Sequence, residues 1–246
     1  MSLNDSNKFY ATIAQYYEYI FPLKEMKLRF AKEHITSNSN VLDVGCATGA
    51  FSIALSEHCQ DIKAFDLSED MIEIAKSKLN SKVGFAIGNM LEIERDYSEK
   101  KFDVITCFGN TLVHLLSEKK IQSFLKQTHQ LLSKDGVLLL QILNYDYILD
   151  NNVNALPKID NEQICFKRVY EFKEDNRLID FNTELIVKDE NKIVKNSSLL
   201  YAIRPFELKN LLVEAGFLRV EMYSSFKKDR LDNKKLPLVI QAFRNN

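Results

Sequence analysis

Apolar residues follow two rhythms along this chain. Up to about residue 150, short apolar runs alternate with stretches in which apolar side chains return every third or fourth position. Short runs bounded by polar turns predict strands, and the three-to-four spacing predicts amphipathic helices. The strands fall at 41–45, 62–66, 83–87, 102–107 and 137–143, the last a continuous apolar run suited to burial on both faces. A helical pattern covers 8–34 (Phe9, Ile13, Tyr16, Tyr17, Ile20, Phe21), broken at Pro22 and resumed to His34. Ser68 caps a second helical pattern, with Glu69 and Asp70 in its first turn, where the helix dipole favours negative charge. A third runs from Ser117 to Leu132 and stops before the turn Lys134-Asp135-Gly136. Strand–helix alternation implies a parallel sheet covered by helices through right-handed crossovers.

The rhythm then changes. Residues 164–172, 178–188 and 193–203 alternate apolar and polar positions, which predicts a three-stranded antiparallel meander with one wet face. It reads as an insertion, because the α/β pattern resumes. Pro205 opens a helix at a tolerated position, Gly216 closes it as the C′ residue, and two strands follow at about 217–225 and 236–244.

The 246 residues suit one domain with an insertion, and 33 basic against 34 acidic residues give no global field to attract nucleic acid or an acidic membrane. No apolar run approaches the ~20 residues that span a bilayer, and Met1–Ser6 lacks the basic-then-apolar order of a secretory signal. Cys46, Cys59, Cys107 and Cys165 are scattered without CxxC spacing, so a reduced cytoplasmic chain without a metal site is expected. Cys46 and Cys107 themselves suit packing better than nucleophilic attack.

The stretch Val41-Leu42-Asp43-Val44-Gly45-Cys46-Ala47-Thr48-Gly49-Ala50-Phe51 is the most informative. An apolar strand ends in an acid, breaks into a glycine loop and leads into a helix, a turn that lets a ligand approach the backbone closely. Nucleotide-like cofactors use such turns. The dinucleotide fingerprint needs glycine at position 47, where this chain has Ala47, while Asp66 stands where a ribose-binding acid serves either kind of cofactor.

Val41–Ala50 resembles motif I of the class I S-adenosylmethionine-dependent methyltransferases, with Ala47 replacing the middle glycine. The resemblance continues in order: Asp66 after the second strand, Gly88-Asn89-Met90 after the third with Asn89 in place of the usual aspartate, Phe102–Cys107, Leu131–Leu138, and Glu214-Ala215-Gly216-Phe217. Cys107-Phe108-Gly109-Asn110-Thr111-Leu112-Val113-His114-Leu115 is similar to a segment of the glycine N-methyltransferase-like group. It implies an α/β, Rossmann-like sheet of seven mostly parallel strands in methyltransferase order, the last antiparallel, with helices on both faces. One domain, 1–246, then divides into an N-terminal helical lid (1–37), a cofactor-binding core (38–150), the antiparallel insertion or substrate cap (151–204) and a sheet-completing segment (205–246).

The resemblance also implies roles. S-adenosylmethionine, leaving as S-adenosylhomocysteine, is the expected cofactor. Gly45, Cys46 and Gly49 offer backbone to its methionyl part, and Asp66 with Leu67 takes the ribose. Asn89 and Met90 hold the adenine, and Phe108 or Gly109 gives a carbonyl to the ammonium. Tyr10 and Tyr17 either close over it as a lid or only pack on the domain surface. Asp43 either joins this set or only braces the loop. Asn110 and His114 fall where an acceptor should sit, to orient it or, for His114, to act as base near neutral pH. Packing at a helix start is the other reading of His114. Tyr16, Arg168 and Arg204 are the acceptor-side candidates, the arginines either forking a carboxylate or bracing an edge. The expected partner is a small-molecule methyl acceptor, methylated at nitrogen, with the protein a monomer or homodimer. The rivals are a tRNA or other macromolecular substrate and a non-catalytic cofactor-binding protein.

Overall fold

The computed structural model describes residues 13–78, 82–174 and 177–245. From Ile13 the chain makes a 3-10 turn (Ala14–Tyr16), a short helix α1 (Tyr17–Ile20) and helix α2 (Glu25–Lys32). The break between them is at Pro22: Phe21 before it leaves the helical region (φ −126°, ψ 67°), which proline disfavours for the residue it follows. The break expected at Pro22 is thus observed, with the second helix ending at Lys32 rather than His34, and residues 8–12 of the expected pattern lie outside the described residues.

The α/β core follows as β1 (Asn40–Val44), α3 (Ala50–Ser56), β2 (Asp61–Asp66), α4 (Glu69–Ser77), β3 (Val83–Ile87), α5 (Ile93–Tyr97), β4 (Phe102–Cys107), a 3-10 turn (Thr111–Leu115), α6 (Glu118–Leu131) and β5 (Leu132–Leu143). Ser68 caps α4, its hydroxyl accepting from the Met71 amide. β5 starts five residues before the expected strand. The register slips between the Phe102–Leu132 and Val104–Val137 pairs, so the anticipated turn at 134–136 bulges out of a continuous strand. Helix α7 (Tyr145–Asp150), not foreseen, is capped by buried Asn144, which accepts from the Asp146 and Tyr147 amides.

The insertion holds four strands rather than three: β6 (Ala155–Asp160), β7 (Ile164–Phe172), β8 (Leu178–Val187) and β9 (Lys192–Tyr201), antiparallel in that order. β6 escaped the periodicity because Pro157 interrupts it, and proline is tolerated on an edge strand. Helix α8 (Pro205–Glu214) with Gly216 beyond it, β10 (Arg219–Tyr223) and β11 (Pro237–Phe243) complete the chain.

The main sheet is ordered β10-β11-β5-β4-β1-β2-β3. β11 runs antiparallel to β5 and β10, while the pairs among β1–β5 are parallel. The chain turns from one half of the sheet to the other between β1 and β4. That switch point leaves a crevice at the carboxyl ends of the strands, where open α/β sheets bind ligands. One face is covered by Phe30, Phe51 and Leu55 of α2 and α3, the other by Phe124, Leu125 and Leu208 of α6 and α8. A third cluster joins Ile13, Tyr16 and Ile20 to Phe166, Leu185 and Val194 of the insertion, and to Ala47 and Met71 beside the glycine loop. The N-terminal segment is thus wedged between insertion and core, over the crevice.

Candidate active site

Strand β1 delivers Asp43 to the edge of the crevice, where it is 3% exposed. Its two oxygens accept from Ser52 of α3 (2.6 Å) and Thr106 of β4 (2.6 Å). Asp43 braces loop, helix and strand and does not line the crevice. Beyond it the chain reverses through Gly45 (φ 72°), Ala47 (φ 49°) and Gly49 (φ 77°). The amides of Gly45 and Cys46 both donate to the Phe65 carbonyl, at 2.9 and 3.0 Å, tying the loop to β2. Gly49 has a packing reason to lack a side chain, since a Cβ there would lie 2.6 Å from Phe85. Gly45 is crowded by Thr111 in the same way, whereas a Cβ on Gly109 (φ 83°) would meet nothing within 4 Å.

Asp66, at the end of β2, organises the floor. Its Oδ2 accepts from the Ala47 amide at 2.9 Å and its Oδ1 from the Ser68 amide at 3.0 Å. Burial raises its proton affinity above that of an ordinary aspartate, while the backbone donors pull the other way.

The crevice encloses about 760 Å³, part of it open to solvent. Of the residues singled out in the sequence, Tyr17, Gly45, Asp66, Leu67, Asn89, Met90, Gly109 and His114 line it. Ala47, Phe65, Ser68, Gly88, Thr111 and Leu115 join them without having been named for contact. Each adjoins a named residue, so the signal was local: with Asp66 on the wall, Phe65 and Leu67 beside it are too. Asn89 Oδ1 accepts from the Leu91 amide at 3.0 Å, which fixes the side chain at the turn after β3.

Other candidates are placed elsewhere. Buried Cys46 packs with Phe51 and Phe108 under the loop, where burial pushes its thiol well up. The Phe108 carbonyl accepts from Thr111 at 2.8 Å. Asn110 (φ 69°) is committed at both ends of its amide, accepting from the Leu143 amide (2.9 Å) and donating to the Tyr145 hydroxyl (3.3 Å). It stitches the end of β4 to β5. Tyr16 donates to the Glu190 carboxylate at 2.9 Å and clamps the N-terminal segment to the insertion. Arg204 is forked between Asp146 (2.7 Å) and Asp150 (2.9 Å) and braces α7 to α8. Arg168 lies on the insertion's covered face, and Tyr10 lies outside the described residues.

Tyr17 roofs the crevice. Burial, then the charge of Asp66, raises its hydroxyl far above the usual range, so it stays neutral. A latch beside it holds α1 to the loop: Glu18 accepts from the Thr48 hydroxyl (2.7 Å) and from Lys78, which also donates to the Thr48 carbonyl (2.6 Å). Burial lowers His114 from 6.5 to about 4. A neutral imidazole there offers a hydrogen bond but is too weak a base to hold an ammonium proton near neutral pH.

Residues 41–136 match a family described as a methyltransferase domain. The chain is 27% identical over 220 residues to a glycine/sarcosine N-methyltransferase of Aphanothece halophytica, covering 83% of this chain and 75% of that one. It is 34% identical over 122 residues to the glycine N-methyltransferase of Rattus norvegicus, covering 44% of this chain and 42% of that one. Residues 41–136 therefore form a methyltransferase domain, and the chain resembles the class I S-adenosylmethionine-dependent methyltransferases. The fold agrees: a solved S-adenosylmethionine-dependent methyltransferase from Clostridium acetobutylicum superposes with a TM-score of 0.80 over 96% of this chain and 99% of that one, at 17% identity.

The crevice of this methyltransferase suits such a cofactor on its own chemistry. The lining residues include Asp66 and no lysine or arginine. An anionic crevice welcomes a sulfonium cation and repels a diphosphate. The two carboxylate oxygens of Asp66 match a vicinal diol, and Leu67 and Met90 give a planar base an apolar bed. Among the described residues, no group of three His, Cys, Asp or Glu is placed to hold a metal, and no helix is long and apolar enough to cross a membrane.

Proposed function

We propose that this methyltransferase transfers a methyl group to a nitrogen of a small molecule and does so by positioning. One observation carries the reading: the glycine loop, Asp66 and Asn89 form one wall of a crevice whose opposite wall, Gly109 to Leu115, leads to the insertion. The crevice lining is mostly apolar, and it carries no basic track for a nucleic-acid backbone. The similarity to glycine and sarcosine N-methyltransferases supports nitrogen as the acceptor atom.

When bound, S-adenosylmethionine supplies a methyl on a sulfonium, and its sulfur keeps the bonding pair as the methyl passes to a nucleophile. The residues of the chain do the rest. Asp66 holds the ribose hydroxyls, with the loop amides fixing its carboxylate. Met90 and Leu67 seat the adenine, Asn89 faces its edge, and Gly45 and Gly109 let the methionyl part lie against backbone. Tyr17 closes the roof and excludes water. Asn110 is a positioning residue that holds Gly109 and the following turn in place. His114 hydrogen-bonds the acceptor. Orientation of a good leaving group and a neutral amine contributes on the order of 7–11 kcal/mol to such reactions, so a dedicated base is not required.

The test is release of S-adenosylhomocysteine across a panel of amines and phenols. Turnover with at least one amine and none with phenols is expected. Turnover confined to phenols would move the reaction to oxygen, and none with either, from protein that binds the cofactor, would make it a non-catalytic binder.

A further inference from the structure

The turn after β3 fixes the hydrogen-bonding groups at one end of the crevice. β3 pairs with β2 as far as Ile87 opposite Asp66, and the Gly88 amide still donates to the Asp66 carbonyl at 2.9 Å. The chain then leaves the sheet. Asn89 folds back on its own turn: its backbone carbonyl accepts from the Glu92 amide at 2.9 Å and its side-chain Oδ1 from the Leu91 amide at 3.0 Å. A side-chain amide has one accepting and one donating end. Here the accepting end closes the turn. Turning the side chain over would set Nδ2 against the Leu91 N–H, donor against donor, so the local backbone fixes its orientation. The end left over is Nδ2, which has no hydrogen-bond partner among the described residues. The Met90 amide, next along the chain, likewise donates to no group among them. Both residues line the crevice.

Asn89 and Met90 thus set two unpaired N–H donors side by side where the base of the cofactor is read. Purines differ at the edge that such donors meet. Adenine has a donor, its amino group, at C6 and an acceptor at N1. Hypoxanthine has the reverse, an acceptor oxygen at C6 and a donor at N1. A pair of donors is satisfied once and opposed once by either base. Strong rejection, on the order of 10⁴-fold, comes from a site whose buried polar groups are all paired by one ligand and stranded by its analogue. Here each base leaves one donor unpaired, and the difference cancels. The remaining contacts do not distinguish the two: Leu67 and Met90 bed a flat ring of either kind, and Asp66 meets the same ribose.

We infer that the crevice does not read the 6-amino group of its cofactor and takes a 6-oxo purine in its place, with Asn89 as the residue that sets this tolerance. The inference rests on the cofactor reading given above and deepens it, by naming the class of nucleoside that the base end accepts.

The probes are S-adenosylhomocysteine and S-inosylhomocysteine, titrated by calorimetry into the wild-type protein and Asn89→Asp. Aspartate keeps an acceptor for the Leu91 amide and puts a second acceptor where Nδ2 was. The edge then reads acceptor beside donor, which pairs adenine twice and hypoxanthine not at all. The wild-type protein is expected to bind the two ligands within fivefold of each other. Asn89→Asp is expected to shift the ratio of the two dissociation constants at least tenfold in favour of S-adenosylhomocysteine. Added charge and altered stability act on both ligands alike and leave that ratio unchanged. A wild-type preference for S-adenosylhomocysteine above fivefold would overturn the inference without recourse to any variant, because an acceptor elsewhere would then read the amino group. A smaller shift in Asn89→Asp would overturn the role of Asn89. Wild-type protein that binds neither ligand would instead overturn the methyltransferase reading, and this inference with it.

Discussion

Asp66 is the residue on which the cofactor reading turns, and its environment makes a pH-dependent claim. Asp66→Asn is expected to weaken S-adenosylhomocysteine binding more than tenfold, read by calorimetry, with the fold intact by circular dichroism. Burial holds the free carboxyl above its usual 3.8. Affinity should therefore fall on acidification with a midpoint above that value, and the midpoint should vanish in Asp66→Asn. The loop separates two kinds of small residue. Ala47 sits in the left-handed region, which costs a non-glycine residue about 1–2 kcal/mol. Ala47→Gly should therefore leave stability unchanged or raised by about 1 kcal/mol in urea denaturation and keep cofactor affinity. Gly49→Ala should lose about 2 kcal/mol or more, because strain and the contact with Phe85 add. The pH signature of His114 is set by its burial. Its folded value is about 4 against 6.5 when exposed. The unfolded chain thus binds the extra proton between those limits, and stability falls as pH drops from 6.5 toward 4, by up to about 3 kcal/mol. His114→Gln should flatten that part of the pH–stability curve; an unchanged slope would contradict its burial as a neutral imidazole.

At the scale of elements, the N-terminal segment is held at two points, the Glu18–Lys78–Thr48 latch on the glycine loop and the Tyr16–Glu190 clamp on the insertion. The latch is partly exposed, so its weight in global stability is small, but it decides how tightly Tyr17 covers the crevice. Lys78→Ala is expected to speed proteolysis near residues 13–24 severalfold and to shorten the residence time of S-adenosylhomocysteine, with little change in the unfolding midpoint. Equal proteolysis rates would mean that packing alone seats the segment. The elements most legible in the sequence were those whose signal is local. β3 and β4 came out at their observed limits, because short apolar runs between helices have few alternatives. The Ser68 cap, Pro205 and Gly216 marked helix ends for the same reason. β6 was hidden by Pro157 on an edge, and α7 by its shortness, although Asn144 two residues before Asp146 is a cap pattern a closer reading would use.

At the scale of the molecule, the sheet order and the crevice at its switch point follow from strand–helix alternation and the known handedness of crossovers, so the cofactor side was largely readable. Asp66, Asn89, Met90 and Gly109 all reach the crevice because each ends or follows a strand that the topology brings there. The acceptor side was not readable in the same way. Tyr16, Arg168, Arg204 and Asn110 are polar groups whose partners lie 33 to 174 residues away or, for Arg168, 11 residues away across a strand pair. Only tertiary packing decides what each of them braces. Binding and stability are linked through the same crevice: S-adenosylhomocysteine at 100 times its dissociation constant should add about 2.7 kcal/mol, raising Tm by roughly 5–10 °C for a chain of this size, and Asp66→Asn should lose that rise at the same concentration. The most direct measurement is calorimetric titration of the purified protein with S-adenosylmethionine, with NADH as the control. A dissociation constant near 10 μM or tighter, about −7 kcal/mol, with no response to NADH, is the expected result. A folded protein that ignores S-adenosylmethionine, or that binds NADH instead, would contradict the assignment of the glycine loop and Asp66 to this cofactor.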